Sequence, residues 1–278
     1  MSARLRGIAK ETEKIVARGG YAAPGGRDVS IAEAVTAAAD GTRMFGPGPV
    51  AVPAAEETFT PVFEVTEEGS TEAARRLVAN GLGPVAVLNF ASARNPGGGY
   101  LNGAQAQEEA VCRASALYTC LLRAPEYYAH HRSERSPFYS DRVIHSPGVP
   151  VFRDGRERLL DEPFEAGFLT SPAPNAGVIA RQTPAEARRV PAAVRQRAER
   201  VLEVAAAHGY RALVLGAWGC GVFRNDPAVV ADVFRAHLTG EGRFAGWFAH
   251  VVFAVLDRTP DSPTRAAFRR AFPSPAAP

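Results

Sequence analysis

Lysine is almost absent from this chain of 278 residues. Lys10 and Lys14 are the only two, and the other basic residues that give it a formal charge of +3 are arginines. With so much alanine, glycine and proline, this skew fits a GC-rich genome better than a dedicated nucleic-acid surface; a polyanionic ligand is permitted, not demanded. Cysteine is also scarce: Cys112, Cys120 and Cys220 form no C-x-x-C pair, which argues against a disulfide framework and a zinc site. No apolar run approaches the roughly 20 residues needed to cross a bilayer. Met1 to Gly20 interleaves charges with single aliphatics, unlike a secretory signal. The expectation is a soluble cytoplasmic monomer with no membrane or direct nucleic-acid partner. The nucleotide-binding fingerprints G-x-G-x-x-G and G-K-[ST] are missing as well.

What is present is periodicity. Leu5, Ile8, Ile15 and Val16 mark an amphipathic helix over 1–20, ended by Gly19-Gly20. A second helix is expected over 30–39, with Ser30 and Glu33 at capping-box spacing. Gly41 to Pro53 reads as loop. The first 55 residues therefore read as a helical extension, and 56–278 as the main α/β domain. From about residue 60, strands alternate with helices. Strands are expected over 63–65, 85–90, 142–145, 164–170, 212–215 and 248–256. Helices are expected over 70–80, 105–122 and 186–208, with two more opening at Asp226-Pro227 and Ser262-Pro263. Such alternation argues for a layered α/β sheet with its ligand site at the strand ends.

Two glycine-rich loops each lie between a buried strand and a helix. The first runs from Asn89 through Asn95 to Gly97-Gly98-Gly99 and on to Gln107-Glu108-Glu109; the second is Gly216 to Phe223. Glycine lets backbone approach a ligand and expose successive N–H groups to phosphate oxygens. By themselves such loops are often only tight turns, and acids at a helix start often serve only the helix dipole. Joined in one segment, they point to a carboxylate pair held beside a bound ligand.

That segment, Asn89 to Cys112, resembles the signature of the poly(ADP-ribose) glycohydrolases: a triple glycine, a short spacer and Gln-Glu-Glu. Gly219-Cys220-Gly221-Val222-Phe223 and Ser171 to Asn175 resemble the same family, most of all its compact microbial type. The resemblance implies a macrodomain-like three-layer α/β/α fold with a mixed sheet, the N-terminal helices packing on it. It implies that Glu109 is the catalytic glutamate and that Glu108 holds the ribose hydroxyls. Gly97, Gly98 and Gly99 would line the distal ribose and diphosphate, with Gln107 alongside. Gly219, Cys220, Gly221 and Val222 would bind diphosphate, and Phe223 would pack on the proximal ribose. Asn95 is a further candidate contact, with loop capping as its equal alternative. The implied substrates are poly(ADP-ribose) and ADP-ribosylated proteins, cut mainly from the chain end to release ADP-ribose, with no metal or other cofactor.

Adjacent helical residues point about 100° apart, so Glu108 and Glu109 do not suit two carboxyls flanking a glycosidic bond. One proton-transferring acid and one positioning acid fit better. A helix start favours loss of that proton, whereas a neighbouring carboxylate and a bound diphosphate favour keeping it. Two other readings compete: an ADP-ribose-binding module without activity, and a metal-free mono-ADP-ribosyl protein hydrolase. His130-His131 reads as a solvated pair or helix end, Cys220 as a small loop residue, Trp218 as loop support, Tyr127-Tyr128 as packing, and Thr264 as a cap-region residue.

Overall fold

The computed structural model describes residues 1–55 and 57–273. The junction expected between 55 and 56, and the last five residues of the expected main domain, lie outside the described residues.

The first helix, α1 (Ala3–Arg18), buries Leu5, Ala9, Thr12 and Ile15 and stops at Gly19, whose φ is +71°. There the expectation of a second helix starting at Ser30 fails. Gly20–Ala22 (β1) and Asp28–Ser30 (β2) pair as an antiparallel hairpin, Ser30 opposite Gly20. The ladder holds Ser30 extended, so α2 (Ala32–Gly41) starts at Ile31 with no side-chain cap. The Gly41–Pro53 stretch is not all loop either. Arg43–Phe45 forms β3, an edge strand antiparallel to a longer strand at Val143–Arg153.

The main sheet is completed by β4 (Val62–Thr66), β5 (Val85–Phe90), β6 (Val143–Arg153), β7 (Leu159–Ser171), β8 (Ala212–Gly216) and β9 (His250–Ala254). Its order is β3-β6-β7-β5-β8-β9-β4. β6 runs antiparallel to both neighbours; β5 is parallel to β7 and β8, and β9 to β8 and β4. Alternation along the central strands fills both faces. Val85 and Val87 of β5 join the core shared with α1, α2, α3 (Ser70–Ala79), α4 (Gln107–Ala114), α5 (Leu117–Leu121) and α6 (Pro125–Ser133). Ala86 and Leu88 join the core shared with α7 (Ala176–Gln182), α8 (Val190–Ala207), α9 (Pro227–Leu238) and α10 (Pro263–Ala271). Each fully buried Val or Leu contributes about 1.5–3 kcal/mol. The result is the expected three-layer α/β/α architecture on a mixed sheet.

Three further boundaries move for local reasons. The helix expected over 105–122 breaks at Ser115, which is extended, bridges to Val151 and bonds its hydroxyl to the Val111 carbonyl. The helix expected from Glu186 begins as a 3-10 turn, Pro184–Arg189, because the α-helix proper carries Pro191 in its first turn. At α10, Ser262 sits at φ +43° without capping; Asp257 reaches in to accept from the Thr264 N–H at 3.0 Å. No described helix is long and apolar enough to cross a membrane.

Candidate active site

Parallel pairing decides where the site can be. Because β5 lies between β7 and β8 and is parallel to both, all three chains leave the sheet at one edge, Phe90 beside Ser171. The two glycine loops and the 171–175 stretch therefore emerge side by side.

After β5 the chain folds into successive turns: Gly98 donates to the Asn95 carbonyl at 2.9 Å and Tyr100 to the Gly97 carbonyl at 3.0 Å. Gly97 and Gly98 hold φ of +65° and +58°, a region costly for any side chain. The spacer then leads into α4, whose N-cap, Ala106, has no polar side chain. Glu109 makes the other half of a cap, reaching back to the N-cap backbone. Its Oε2 takes the Ala106 N–H at 3.0 Å and its Oε1 takes the Gly99 N–H at 2.8 Å. Glu108 turns toward the strand: Oε2 accepts from the Ser92 N–H at 2.6 Å and Oε1 from the Asn89 amide at 3.3 Å. The two carboxylates leave the helix in different directions, yet the loop folds over the helix start and meets both. A methyl group on Gly98 would lie 2.6 Å from Glu109 Oε1 and 3.0 Å from Glu108 Oε2. They thus share one side of a glycine rather than flanking a gap.

Both acids are buried, Glu108 at 3% exposure and Glu109 at 8%. Burial pushes the Glu108 carboxyl up to about 8, and the charge of Glu109 adds to this. The Ser92 and Gly97 N–H groups and the Asn89 amide oppose it. The Glu108 carboxyl therefore favours its protonated form near neutral pH. Gln107, the first residue of the triplet, points inward: it accepts from the Phe90 N–H at 2.8 Å and donates to the Leu88 carbonyl at 2.9 Å and Ser70 Oγ at 3.1 Å. It fastens the helix start to the end of β5.

The second loop is braced from the 171–175 side. Trp218, fully buried, donates its indole N–H to the Ser171 carbonyl at 3.0 Å. Asn225 donates to the carbonyls of Gly219 and Pro174 at 3.1 and 2.8 Å. Gly219, at φ +71°, has the Asn225 amide and Ala173 where a Cβ would go. Beyond this anchor the loop opens: Gly221 and Val222 are exposed, and the N–H groups of Gly221, Val222 and Phe223 donate to no protein atom among the described residues. Phe223 is half-buried, its ring 5.8 Å from that of Tyr139. Burial pushes the Cys220 thiol up to about 12, which leaves no thiolate nucleophile.

The remaining sequence candidates sort clearly. Asn95 is exposed; its backbone closes the turn, with its N–H on Ser92 Oγ at 3.3 Å and its carbonyl taking the Gly98 N–H. His131 ends α6 but is not solvated: it is buried, with Nδ1 on the Tyr127 carbonyl and Nε2 on Ser140 Oγ. Tyr127 and Tyr128 are core residues. Asn175 caps α7 through the Val178 N–H. Among the described residues no group of three or more His, Cys, Asp and Glu is placed to hold a metal ion. Sequence reasoning missed Asn89, Ser92 and Tyr139. Asn89 had a readable signal, since a polar residue inside an apolar strand must find a partner; Ser92 and Tyr139 had none.

A family model described as microbial-type PARG, catalytic domain, matches residues 9–154. Among solved structures, a glutamate-to-alanine mutant of poly(ADP-ribose) glycohydrolase from Thermomonospora curvata is 49% identical with a TM-score of 0.90, over 98% of this chain and 100% of that one. The same organism's enzyme bound to the inhibitor ADP-HPD is 50% identical with a TM-score of 0.89, over the same shares of the two chains. The Deinococcus radiodurans enzyme in complex with ADP-ribose is 48% identical with a TM-score of 0.79, over 86% of this chain and 97% of that one. No curated protein matches the chain.

Proposed function

Because the chain belongs to the microbial-type poly(ADP-ribose) glycohydrolases, we propose that it hydrolyses the ribose–ribose O-glycosidic bond of poly(ADP-ribose) with Glu109 as general acid and base. The observation that carries this reading is the convergence of two buried carboxylates on Gly98, at the edge where both glycine loops open.

The alkoxide leaving group of that bond is poor until protonated. Glu109 enters the cycle protonated, gives that proton to the departing ribose oxygen as the C–O bond breaks, then takes one from the water that attacks the anomeric carbon. The oxocarbenium-like charge in between is stabilised by the substrate's own diphosphate. Glu108 enters largely protonated and fully desolvated, suited to hydrogen-bond ribose hydroxyls in either direction. Each Glu109 oxygen accepts one N–H and retains a lone pair for the substrate side. The unused N–H groups of Gly221, Val222 and Phe223 form a nest for diphosphate oxygens, and Phe223 packs on the proximal ribose. Gln107 acts by positioning the helix start, and Asn95 by closing the turn.

Within the N-terminal 55 residues β3 joins the main sheet, and α1 stiffens the first glycine loop. The Ser2 N–H donates to the Gly103 carbonyl, and the Tyr100 hydroxyl reaches Glu13 Oε1 at 2.9 Å. Cleavage runs mainly from the chain end and acts on the polymer carried by ADP-ribosylated proteins. Incubation with poly(ADP-ribose) followed by chromatography tests the reading. Free ADP-ribose is the expected product; untouched polymer with ADP-ribose still bound would replace it with a non-hydrolysing reader.

A further inference from the structure

The segment between α6 and β6, residues 134–142, was not part of the site as read from sequence, yet it bridges both glycine loops. At one end, Arg94 of the first loop donates to the carbonyls of His131 and Arg135 at 3.3 and 3.4 Å, and Arg132 returns a bond to the Arg94 carbonyl at 2.8 Å. At the other end, Tyr139 lies against Phe223 of the second loop, and Asn175 donates to the Pro137 carbonyl at 2.8 Å. Tyr139 holds φ +58°, a conformation rare for an aromatic residue and typical of over-determined functional segments. The segment, with Arg94 and Arg132 bonded beside it, is therefore a fixed lip across the mouth of the site.

This lip is rich in cations without counter-ions. Arg94, Arg132 and Arg135 are exposed and Arg142 half-exposed. None of the four forms an ion pair among the described residues, whereas Arg197 beside them is neutralised by Asp141 at 3.0 Å. Arg142 also stands near His130 and His131, where after burial its charge helps hold both imidazoles below their usual range. Arg94 and Arg132 spend their hydrogen bonds on backbone carbonyls, which fixes the guanidinium groups in place while leaving the charge unbalanced. Arg94 adjoins the Asn95–Gly98 turn that meets the two carboxylates of α4.

We infer that the Arg94–Arg132–Arg135–Arg142 lip binds the diphosphate of the ADP-ribose unit on the leaving side of the scissile bond, so that it selects polymer over free ADP-ribose. This rests on the proposed activity: once the terminal unit fills the cleft, the next diphosphate lies outside it, where only exposed cations can meet it. A rigid guanidinium fork suits that diester-like group.

The test uses the full chain carrying Glu109→Gln, which keeps polymer intact during binding. Kd is measured for free ADP-ribose and for end-labelled poly(ADP-ribose), with and without Arg135→Gln and Arg142→Gln, two arginines whose side chains make no hydrogen bond among the described residues. The expected result is about tenfold weaker polymer binding and a shallower salt dependence, with ADP-ribose binding unchanged. Arg135→Lys with Arg142→Lys restores the salt dependence but only part of the affinity. Equal loss for both ligands, or none for the polymer, overturns the inference. Turnover by the unmutated enzyme is read separately, so an inactive enzyme would sink the activity without deciding the lip.

Discussion

Gly98→Ala is the sharpest perturbation of the carboxylate pair that leaves every carboxylate in the sequence. Two costs are separable. The first is conformational: at φ +58° an L side chain costs about 1–2 kcal/mol, or roughly 2–8 °C in Tm for a chain of this size. The second is local. The added methyl would stand 2.6 Å from Glu109 Oε1 and 3.4 Å from its Cδ. Ordinary contact requires the carboxylate to retreat by somewhat under an ångström, and misplacement of about 1 Å can cost on the order of 10²-fold in rate. Gly26→Ala separates the two effects, because Gly26 has φ +82° with nothing near its methyl position. The assay is ADP-ribose release from poly(ADP-ribose) alongside a thermal melt. Both variants lose a similar few degrees; only Gly98→Ala loses about two orders of magnitude in kcat. Equal activities at matched stability would refute the placement of both carboxylates around Gly98.

Other expectations concern the supports. Burial raises the Glu108 carboxyl to about 8 from its usual 4.5. Between those values the folded protein keeps a proton that the unfolded chain loses, so this group's contribution to stability falls as pH rises, by at most about 1.4 kcal/mol per pH unit. Denaturant melts at pH 5 to 8 check this; Glu108→Gln removes that part of the slope, and an unchanged slope would show the carboxyl to be ionised. Gln107→Ala strands the Phe90 N–H and frees the helix start from β5. About 1–3 kcal/mol of stability and most of kcat are lost, with a smaller change in KM, as steady-state kinetics would show. Trp218→Phe removes the brace on the Ser171 carbonyl; calorimetry should then show weaker ADP-ribose binding with kcat retained at saturating polymer.

The legible parts of this fold were those governed by one-dimensional pattern. The run Val85 to Phe90 is apolar on every position except Asn89, so a strand buried on both faces followed directly, with the site at its end. Gly19, Gly209 and Asp226 marked helix ends through local chemistry that neighbouring segments do not disturb. What failed depended on partners distant in sequence. Ser30 looks like a cap until Gly20 pairs with it, and Ser115 looks helical until Val151 captures its backbone. At the site, the triplet located the acids, but not how they turn. Glu109 caps its own helix, as an ordinary helix-start acid does, and the same reach brings it beside Gly98. The dull and the chemical roles coincide in one residue, and only the path of the loop distinguishes them. Tyr139 and the arginine lip were unreadable because nothing in their local sequence says which loops they will span.

The central assignment is tested most directly by Glu109→Gln. Glutamine keeps one carbonyl oxygen for the Gly99 or Ala106 N–H but cannot cycle a proton. With poly(ADP-ribose) as substrate and ADP-ribose affinity measured in parallel, turnover should fall by about 10²–10⁴-fold while ADP-ribose affinity stays within a few-fold. Turnover close to that of the unmutated enzyme would contradict the account, because the proton would then have to come from another residue.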